Sequence, residues 1–198
     1  MSHKLVFMSI LLLVLGFSDF ACEAKAEKVP TILELGPMLG YTGPYNAHIW
    51  LKASSAAECG IILGKAENLN DGRMIDGPEL TSDTEFMGIV EVTGLQPATR
   101  YFYKPVLDGQ VNPEPPFSFV TAPPKGFRAR VRFAFISGVG VFLKNIEQGR
   151  KPIIRSWEEL SRVPINLLLL LGDNVYAGST EPEVQRRIYY WHRRLPTF

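Results

Sequence analysis

Cysteine is scarce in this chain of 198 residues, which has only Cys22 and Cys59. Cys22 falls in an N-terminal segment that we expect to be removed, so Cys59 would remain alone and no intrachain disulfide could form. Cys59 precedes a short apolar run at residues 61–63, which predicts a small buried residue and not a nucleophile. The sequence therefore excludes a fold held together by intrachain disulfides.

A charge excess is also absent. The chain has 21 Lys and Arg against 20 Asp and Glu, a formal net charge of +1, whereas phosphate-backbone binding usually needs a clear basic excess. We therefore expect no nucleic-acid partner. Hydrophobic residues make up 46% and charged residues 21%, which excludes a wholly disordered or collagen-like chain. Fifteen prolines and 17 glycines indicate many turns, and hence β-structure.

Long apolar runs are confined to the N-terminus. Lys4 is followed by an apolar run at residues 5–17, and residues 24–26 have the small-x-small form of a cleavage site. This pattern predicts a secretory signal peptide over residues 1–26 and a periplasmic or extracellular mature protein. The run of 13 residues is shorter than the ~20 that a spanning helix needs, so we expect no membrane span after the signal peptide.

Two alternatives exist for this leader. It could remain uncleaved as a membrane anchor, or it could carry a lipid on Cys22. Asp19 and Phe20 disfavour lipidation, because a lipobox has a Leu-like residue and a small residue at these positions. We therefore predict export without a lipid anchor.

Residues 30–122 carry the pattern of a β-sandwich. Ala47, Ile49 and Leu51 alternate with polar or amphipathic residues, as in a half-buried strand. Residues 61–63 and 88–92 predict two more short strands, and turn signals rich in Gly, Pro, Asn and Asp separate the strands. We expect a self-contained sandwich in this part of the chain.

The most specific local pattern is Leu95, Pro97, Thr99 and Tyr101, spaced two residues apart. Leu95 would enter the core, and Tyr101 would begin a strand with its hydroxyl bonded back to the corner backbone. This spacing resembles that of fibronectin type III domains. The resemblance implies an accessory domain without chemistry of its own.

After a Pro- and Gly-bearing connector at residues 121–126, residues 127–198 read as the opening of an α/β domain. Residues 131–136 and 167–171 are apolar runs of the kind found in parallel strands covered on both faces. Ser156 and Glu159 have capping-box spacing, which predicts a helix starting between these strands. The order strand, helix, strand is that of a βαβ unit.

A second capping box, Thr180 with Glu183, predicts the start of a final helix that Pro196 would stop. This predicted helix has an apolar face and a set of basic residues. We expect the basic residues to form a solvated face. The apolar residues are Val184, Ile188, Trp191 and Leu195, and the basic ones are Arg186, Arg187, Arg193 and Arg194.

Candidate metal ligands follow the second of these strands. Asp173 comes after Gly172 at the predicted carboxyl end of the strand, where ligands gather in open α/β sheets. Tyr176, three residues later, can bring its phenol oxygen to the same point. Such oxygen ligands suit hard cations such as Ca²⁺, and a phenolate also suits Fe³⁺. Taken alone, Asp173 could equally cap a turn.

The order of these parts resembles the alkaline phosphatase D family. Its members have a secretion leader, a fibronectin-like domain, a Pro-bearing connector, a strand ending in Gly-Ser-Cys, and a strand carrying G-D-x-x-Y. The corresponding stretches here are FAFISG at residues 133–138 and LLLGDNVY at residues 169–176. The predicted fold class is therefore a fibronectin type III-like β-sandwich followed by part of a metallophosphatase-like α/β domain.

The resemblance implies an exported phosphomonoesterase or phosphodiesterase that acts on a phosphate ester at an Fe³⁺ and Ca²⁺ centre. It implies that Asp173 is a metal-bridging carboxylate and that Tyr176 is an iron ligand. It assigns no catalytic side chain in this sequence, and it leaves the substrate-binding residues unknown.

Two departures from the family pattern bear on activity. Gly138 stands where the family has its iron-binding cysteine, and no cysteine follows Cys59. The family's later Asn, Asp and His ligands have no counterpart before Phe198. We therefore expect an incomplete, catalytically impaired chain, to be completed if at all by a second chain. The alternative is a non-catalytic exported binding module that uses surface aromatics such as Trp50.

Overall fold

The computed structural model describes residues 29–140, 147–148 and 155–195. The predicted signal peptide with Cys22 and the predicted helix stop at Pro196 lie outside these residues. The described residues from Thr31 onward belong to one compact unit. Within the described ranges, no helix has the length and apolar character to cross a membrane.

The first part of the chain is a β-sandwich, as the alternating pattern predicts. One antiparallel sheet has the strand order β1-β2-β5. In the other sheet β4, β3 and β6 are neighbours, and both β7 and β8 pair with β6. The strands are β1 (Leu33–Thr42), β2 (Ala47–Ala53), β3 (Ala57–Gly64), β4 (Arg73–Leu80), β5 (Met87–Val92), β6 (Arg100–Leu107), β7 (Gln110–Val111) and β8 (Phe117–Val120).

The sandwich core is formed by inward-facing residues of both sheets. Ile49 and Leu51 of β2 and Ile61 of β3 are fully buried, which confirms the predicted strand faces. Because apolar side chains on alternate positions all turn inward, each sheet covers the apolar face of the other. Cys59 is buried too, and burial raises the pKa of its thiol to about 11, so it is an inert core residue as predicted.

The predicted corner is present. Leu95 is buried, and the backbone N–H of Gln96 donates a hydrogen bond to the Tyr101 hydroxyl at 2.9 Å. The Thr99 hydroxyl donates to the Pro97 carbonyl at 2.9 Å. These bonds tie the end of the loop to the start of β6, so the motif closes the sandwich by local contacts.

The rest of the described chain includes a pair of parallel strands and the helices named below. β9 (Phe133–Ile136) pairs in parallel with β10 (Leu167–Leu170), and α1 (Arg155–Ser161) lies between them in sequence. α2 (Pro182–Arg193) follows β10. Most large apolar side chains of β9 and β10 remain exposed, including Phe133, Phe135 and Leu169.

Both predicted capping boxes are wrong in detail. Ser156 lies inside α1 and not at its N-cap. The N-cap of α2 is Glu181, which makes no side-chain capping bond, and Pro182 occupies the first turn. Proline suits that place because its missing N–H would be unpaired there and its φ is already helical.

Candidate metal site

The carboxyl ends of β9 and β10 meet at one edge of the parallel pair. The Leu171 N–H donates to the Ile136 carbonyl at 2.9 Å, and the Gly138 N–H donates to the Gly172 carbonyl at 3.4 Å. These bonds continue the ladder just past both strands. The Ser137–Gly138 turn therefore lies beside the Gly172–Asp173 turn, where a parallel sheet collects its polar groups.

Asp173 and Tyr176 come together at this edge. The Tyr176 hydroxyl donates to Asp173 Oδ2 at 3.3 Å. Asp173 has a φ of 50°, in the left-handed region, where Asp is one of the few non-Gly residues found regularly. The structure thus places the two predicted ligands in contact.

The electrostatics of the pair favour a protonated phenol. Desolvation raises the pKa of Tyr176, and the negative charge of Asp173 and the hydrogen bond to it raise that pKa further. Tyr176 is therefore a neutral donor and Asp173 its acceptor when no cation is bound. A cation would have to displace the phenol proton to gain a phenolate ligand.

Gly140 is a site residue that the sequence pattern did not reveal. A Cβ at position 140 would lie 2.4 Å from Cδ2 and 2.6 Å from Cε2 of the Tyr176 ring, and 2.9 Å from the Asp173 carbonyl. Glycine is thus required for the ring to lie where it does. Gly140 follows Gly138 by two residues, so a G-x-G run after β9 was the signal available.

The described residues match only part of a metal centre. No group of three or more His, Cys, Asp or Glu side chains that could hold an ion occurs among them. Asp173 and Tyr176 supply two oxygen ligands, and the buried Asn174 Oδ1 next to them in sequence has no hydrogen-bond partner in the described ranges. Gly138, at the family's cysteine position, supplies none. The donor set fits a hard cation but leaves further positions to be filled.

His192, the single histidine after residue 48, does not join this site. It is buried, and Nε2 accepts a hydrogen bond from the Trp157 indole N–H at 3.2 Å. Burial, and then the charge of Arg193, lower the pKa of His192, which keeps Nε2 available as an acceptor. The pair joins α1 to α2, and its role in the described structure is packing.

The expectation of a solvated basic face on α2 is confirmed for Arg187 and Arg194, which stay exposed, but Arg186 and Arg193 are half-buried. Arg186 Nε lies 2.8 Å from Glu85 Oε1, and Arg194 pairs with Glu34. The Arg193 guanidinium lies 5.9 Å from the centre of the Trp50 ring. These contacts dock α2 onto the outer face of the β1-β2-β5 sheet. Arg187 stays more exposed, 3.6 Å from Glu147.

Comparison with known proteins agrees with this architecture. Residues 30–124 match a family model described as a domain of unknown function (DUF7800). No curated protein matches the sequence at a significant level. The chain is similar to the solved structure of PhoD, with a TM-score of 0.65 and 16% identity over 82% of this chain and 35% of that one. At this identity the likeness establishes a PhoD-like fold.

Two fibronectin type III domains are also similar to part of this chain, at lower TM-scores. The fn3 domain of human contactin 1 aligns with 17% identity and a TM-score of 0.36, over 59% of this chain and 98% of the domain. The sixth fibronectin type III domain of human fibronectin type III domain containing protein 3 aligns with 19% identity and a TM-score of 0.31, over 48% and 90%. The comparisons therefore establish the PhoD-like fold.

Proposed function

We propose that this chain belongs to an exported, metal-dependent phosphoric ester hydrolase of the alkaline phosphatase D type. The main support for this proposal is the contact of Asp173 and Tyr176 at the carboxyl edge of β9 and β10. The chain also has a PhoD-like fold. In this proposal Asp173 is a metal-bridging carboxylate and Tyr176 an iron ligand. The centre would hold Fe³⁺ and Ca²⁺, and the substrate would be a phosphomonoester or phosphodiester.

Each residue has a definite task in this proposal. Bound metal ions would polarise the phosphoryl oxygens and acidify a water molecule. Asp173 would supply negative charge that binds the cations. The Tyr176 phenol, whose pKa is raised, would lose its proton when it binds iron. Gly140 would act as a positioning residue, because a side chain there would push the Tyr176 ring away from Asp173.

The described residues provide only part of the ligand set, so we further propose that ligands outside them are needed for turnover. A second polypeptide that completes the domain is one source. The chain by itself would then bind metal weakly and hydrolyse phosphate esters poorly. PhoD, of which this chain covers 35%, has a longer polypeptide.

Metal binding can be tested separately from turnover. Ferric ion bound to a phenolate gives a visible charge-transfer band, so adding Fe³⁺ with Ca²⁺ should produce that band in the wild type. Tyr176→Phe should abolish it, and Asp173→Asn should weaken it. Tyr45→Phe is the matched control, because Tyr45 is 57% exposed on the sandwich and far from this edge in sequence. A band that persists in Tyr176→Phe would remove Tyr176 from the site.

The glycine at position 138 allows a gain-of-function test. A Cβ there would meet no atom of the described residues within 4 Å, although the φ of 69° would strain it. Gly138→Cys should tighten Fe³⁺ binding, because its thiolate can bind the ion. Gly138→Ala should not, because it has the same backbone strain but no metal-binding side chain. Hydrolysis of p-nitrophenyl phosphate and its bis ester is then compared with Asp173→Ala. Equal metal-dependent rates in the wild type and Asp173→Ala would refute the enzymatic proposal.

A further inference from the structure

A groove runs between α2 and the outer face of the β1-β2-β5 sheet, with a cavity volume of about 370 Å³. Its floor is apolar because Met38 and Trp50 are register partners on β1 and β2, and Met87 of β5 also lines the groove. Its wall is the helix, with Arg186, Tyr189 and Arg193. Ligand pockets typically measure about 300–1,000 Å³ and combine apolar walls with a few polar groups.

Arg193 is placed in this groove as an anion-binding group would be. Its guanidinium lies 5.9 Å from the Trp50 ring centre and 5.3 Å from that of Tyr189, so two aromatic faces hold it. Arg193 Nη1 donates a hydrogen bond to the Tyr189 carbonyl at 3.4 Å. Within the described ranges, no carboxylate lies within ion-pairing distance of Arg193.

The other charges of the groove are already compensated. Arg186 pairs with Glu85 and with Glu183, both at 2.8 Å. The Tyr190 hydroxyl donates to Glu85 at 2.5 Å, so Glu85 is bound from two sides. Arg193 is therefore the uncompensated charge among the described lining residues. Its planar fork of donors matches a carboxylate, and the rings beside it match a flat apolar body.

We propose that this groove binds a small organic anion with an aromatic body and a carboxylate, which pairs with Arg193 and stacks along Trp50. The site is separate from the candidate metal site and does not depend on the proposed hydrolase function. The sequence predicted that Trp50 takes part in binding, and the groove defines where a ligand would contact it. Trp50 is half-buried beneath α2 and not freely exposed.

The test is a titration with 2-naphthoate, followed through the indole N–H resonance of Trp50 in a heteronuclear NMR spectrum. That resonance is assigned by its loss in Trp50→Phe. We expect saturable binding by the wild type, and about tenfold or greater weakening in Arg193→Gln, on the scale of a lost charge-assisted hydrogen bond. The neutral isostere 2-naphthamide should bind much more weakly than 2-naphthoate.

Arg187→Gln is the matched control, since Arg187 lies on the same helix with 60% of its side chain exposed, and it should bind 2-naphthoate as the wild type does. If Arg193→Gln disturbs the fold, Arg193→Lys keeps the charge without the planar fork and should show an intermediate affinity. No saturable shift in the wild type, or equal affinities in wild type and Arg193 variants, would overturn the proposal. Equal affinity for the acid and the amide would do so as well.

Discussion

Glu34 pairs with two cations that come from different parts of the chain. It pairs with Lys52 of β2 and with Arg194 at the end of α2. Lys52 is buried, so its ammonium has lost most of its water. The Phe86 and Tyr190 rings, 5.9 and 5.3 Å from Lys52 Nζ, hold that charge less strongly than a carboxylate does.

We predict that Glu34→Gln destabilises the protein by about 2–4 kcal/mol, because it leaves the buried Lys52 without its counter-charge. The free energy of unfolding is measured by urea denaturation. Glu58→Gln, at an exposed position, is the control and should be nearly neutral. The double variant Glu34→Met with Lys52→Met should recover much of the loss. A neutral Glu34→Gln would show that Lys52 does not need this partner.

The same contact has a pH signature. Burial opposes ionisation of Glu34, but the hydrogen bonds and charges of Lys52 and Arg194 lower its pKa below the ordinary value of 4.5. A lowered folded-state pKa stabilises the protein above about pH 4.5, and that stabilisation is lost as pH falls through the folded-state value. Stability below pH 4.5 should therefore fall more steeply in the wild type than in Glu34→Gln.

Sequence and structure differ in what they reveal about single residues. Leu95, Gln96 and Tyr101 are within six positions of each other, so the motif itself specified the corner bond. Asp173 and Tyr176 were predictable as neighbours for the same reason. Glu34 and Arg194 are 160 positions apart, and no local pattern links them. The sequence did not reveal Gly140, because glycine is required there only by the nearby Tyr176 ring. The parallel pairing of β9 and β10 brings that ring close to position 140.

At the scale of elements, β9 and β10 form a two-stranded parallel sheet with apolar side chains in the open. Phe135 is 67% exposed and Leu171, just after β10, is 62% exposed. Parallel strands are normally covered on both faces, and isolated pairs are marginally stable in water. The apolar runs predicted the strands, but they could not show whether the described residues would cover them.

We predict that this sheet binds the dye ANS and promotes self-association, because its apolar faces and strand edges are available to other chains. The double variant Phe135→Thr with Leu171→Lys should lower both ANS fluorescence and association in sedimentation velocity runs. Val111→Thr, on the short β7 of the sandwich, is the control for removing an exposed apolar residue. An unchanged ANS signal in the double variant would place the exposed surface elsewhere.

At the scale of the whole molecule, the sandwich and the C-terminal segment are joined twice, by the chain and by the docked face of α2. The chain connection includes the exposed, non-helical and non-strand residues Lys125, Arg128 and Arg130. The docked face is formed by the pairs of Glu34 with Arg194 and of Glu85 with Arg186. Cutting one connection should therefore leave the other.

We predict that limited trypsin treatment cleaves after Lys125, Arg128 or Arg130 and leaves a resistant sandwich that ends near Thr121. The fragment carrying α2 should still co-elute with the sandwich in size-exclusion chromatography, identified by mass spectrometry. The double variant Arg186→Gln with Arg194→Gln should release it, while Arg162→Gln, whose partner is local to α1, should not. Separate elution of the wild-type fragments would contradict a stable docked face.

The docking of α2 also sets an order of events during synthesis. The sandwich is complete at Val120, the end of β8, and Arg194 follows 74 residues later (194 − 120), which corresponds to roughly 4–15 s at translation rates of about 5–20 residues per second. The sandwich has time to fold before the helix that completes its surface exists. Glu34 and Glu85 of the folded sandwich are then already in place, and α2 binds to them when it is synthesised.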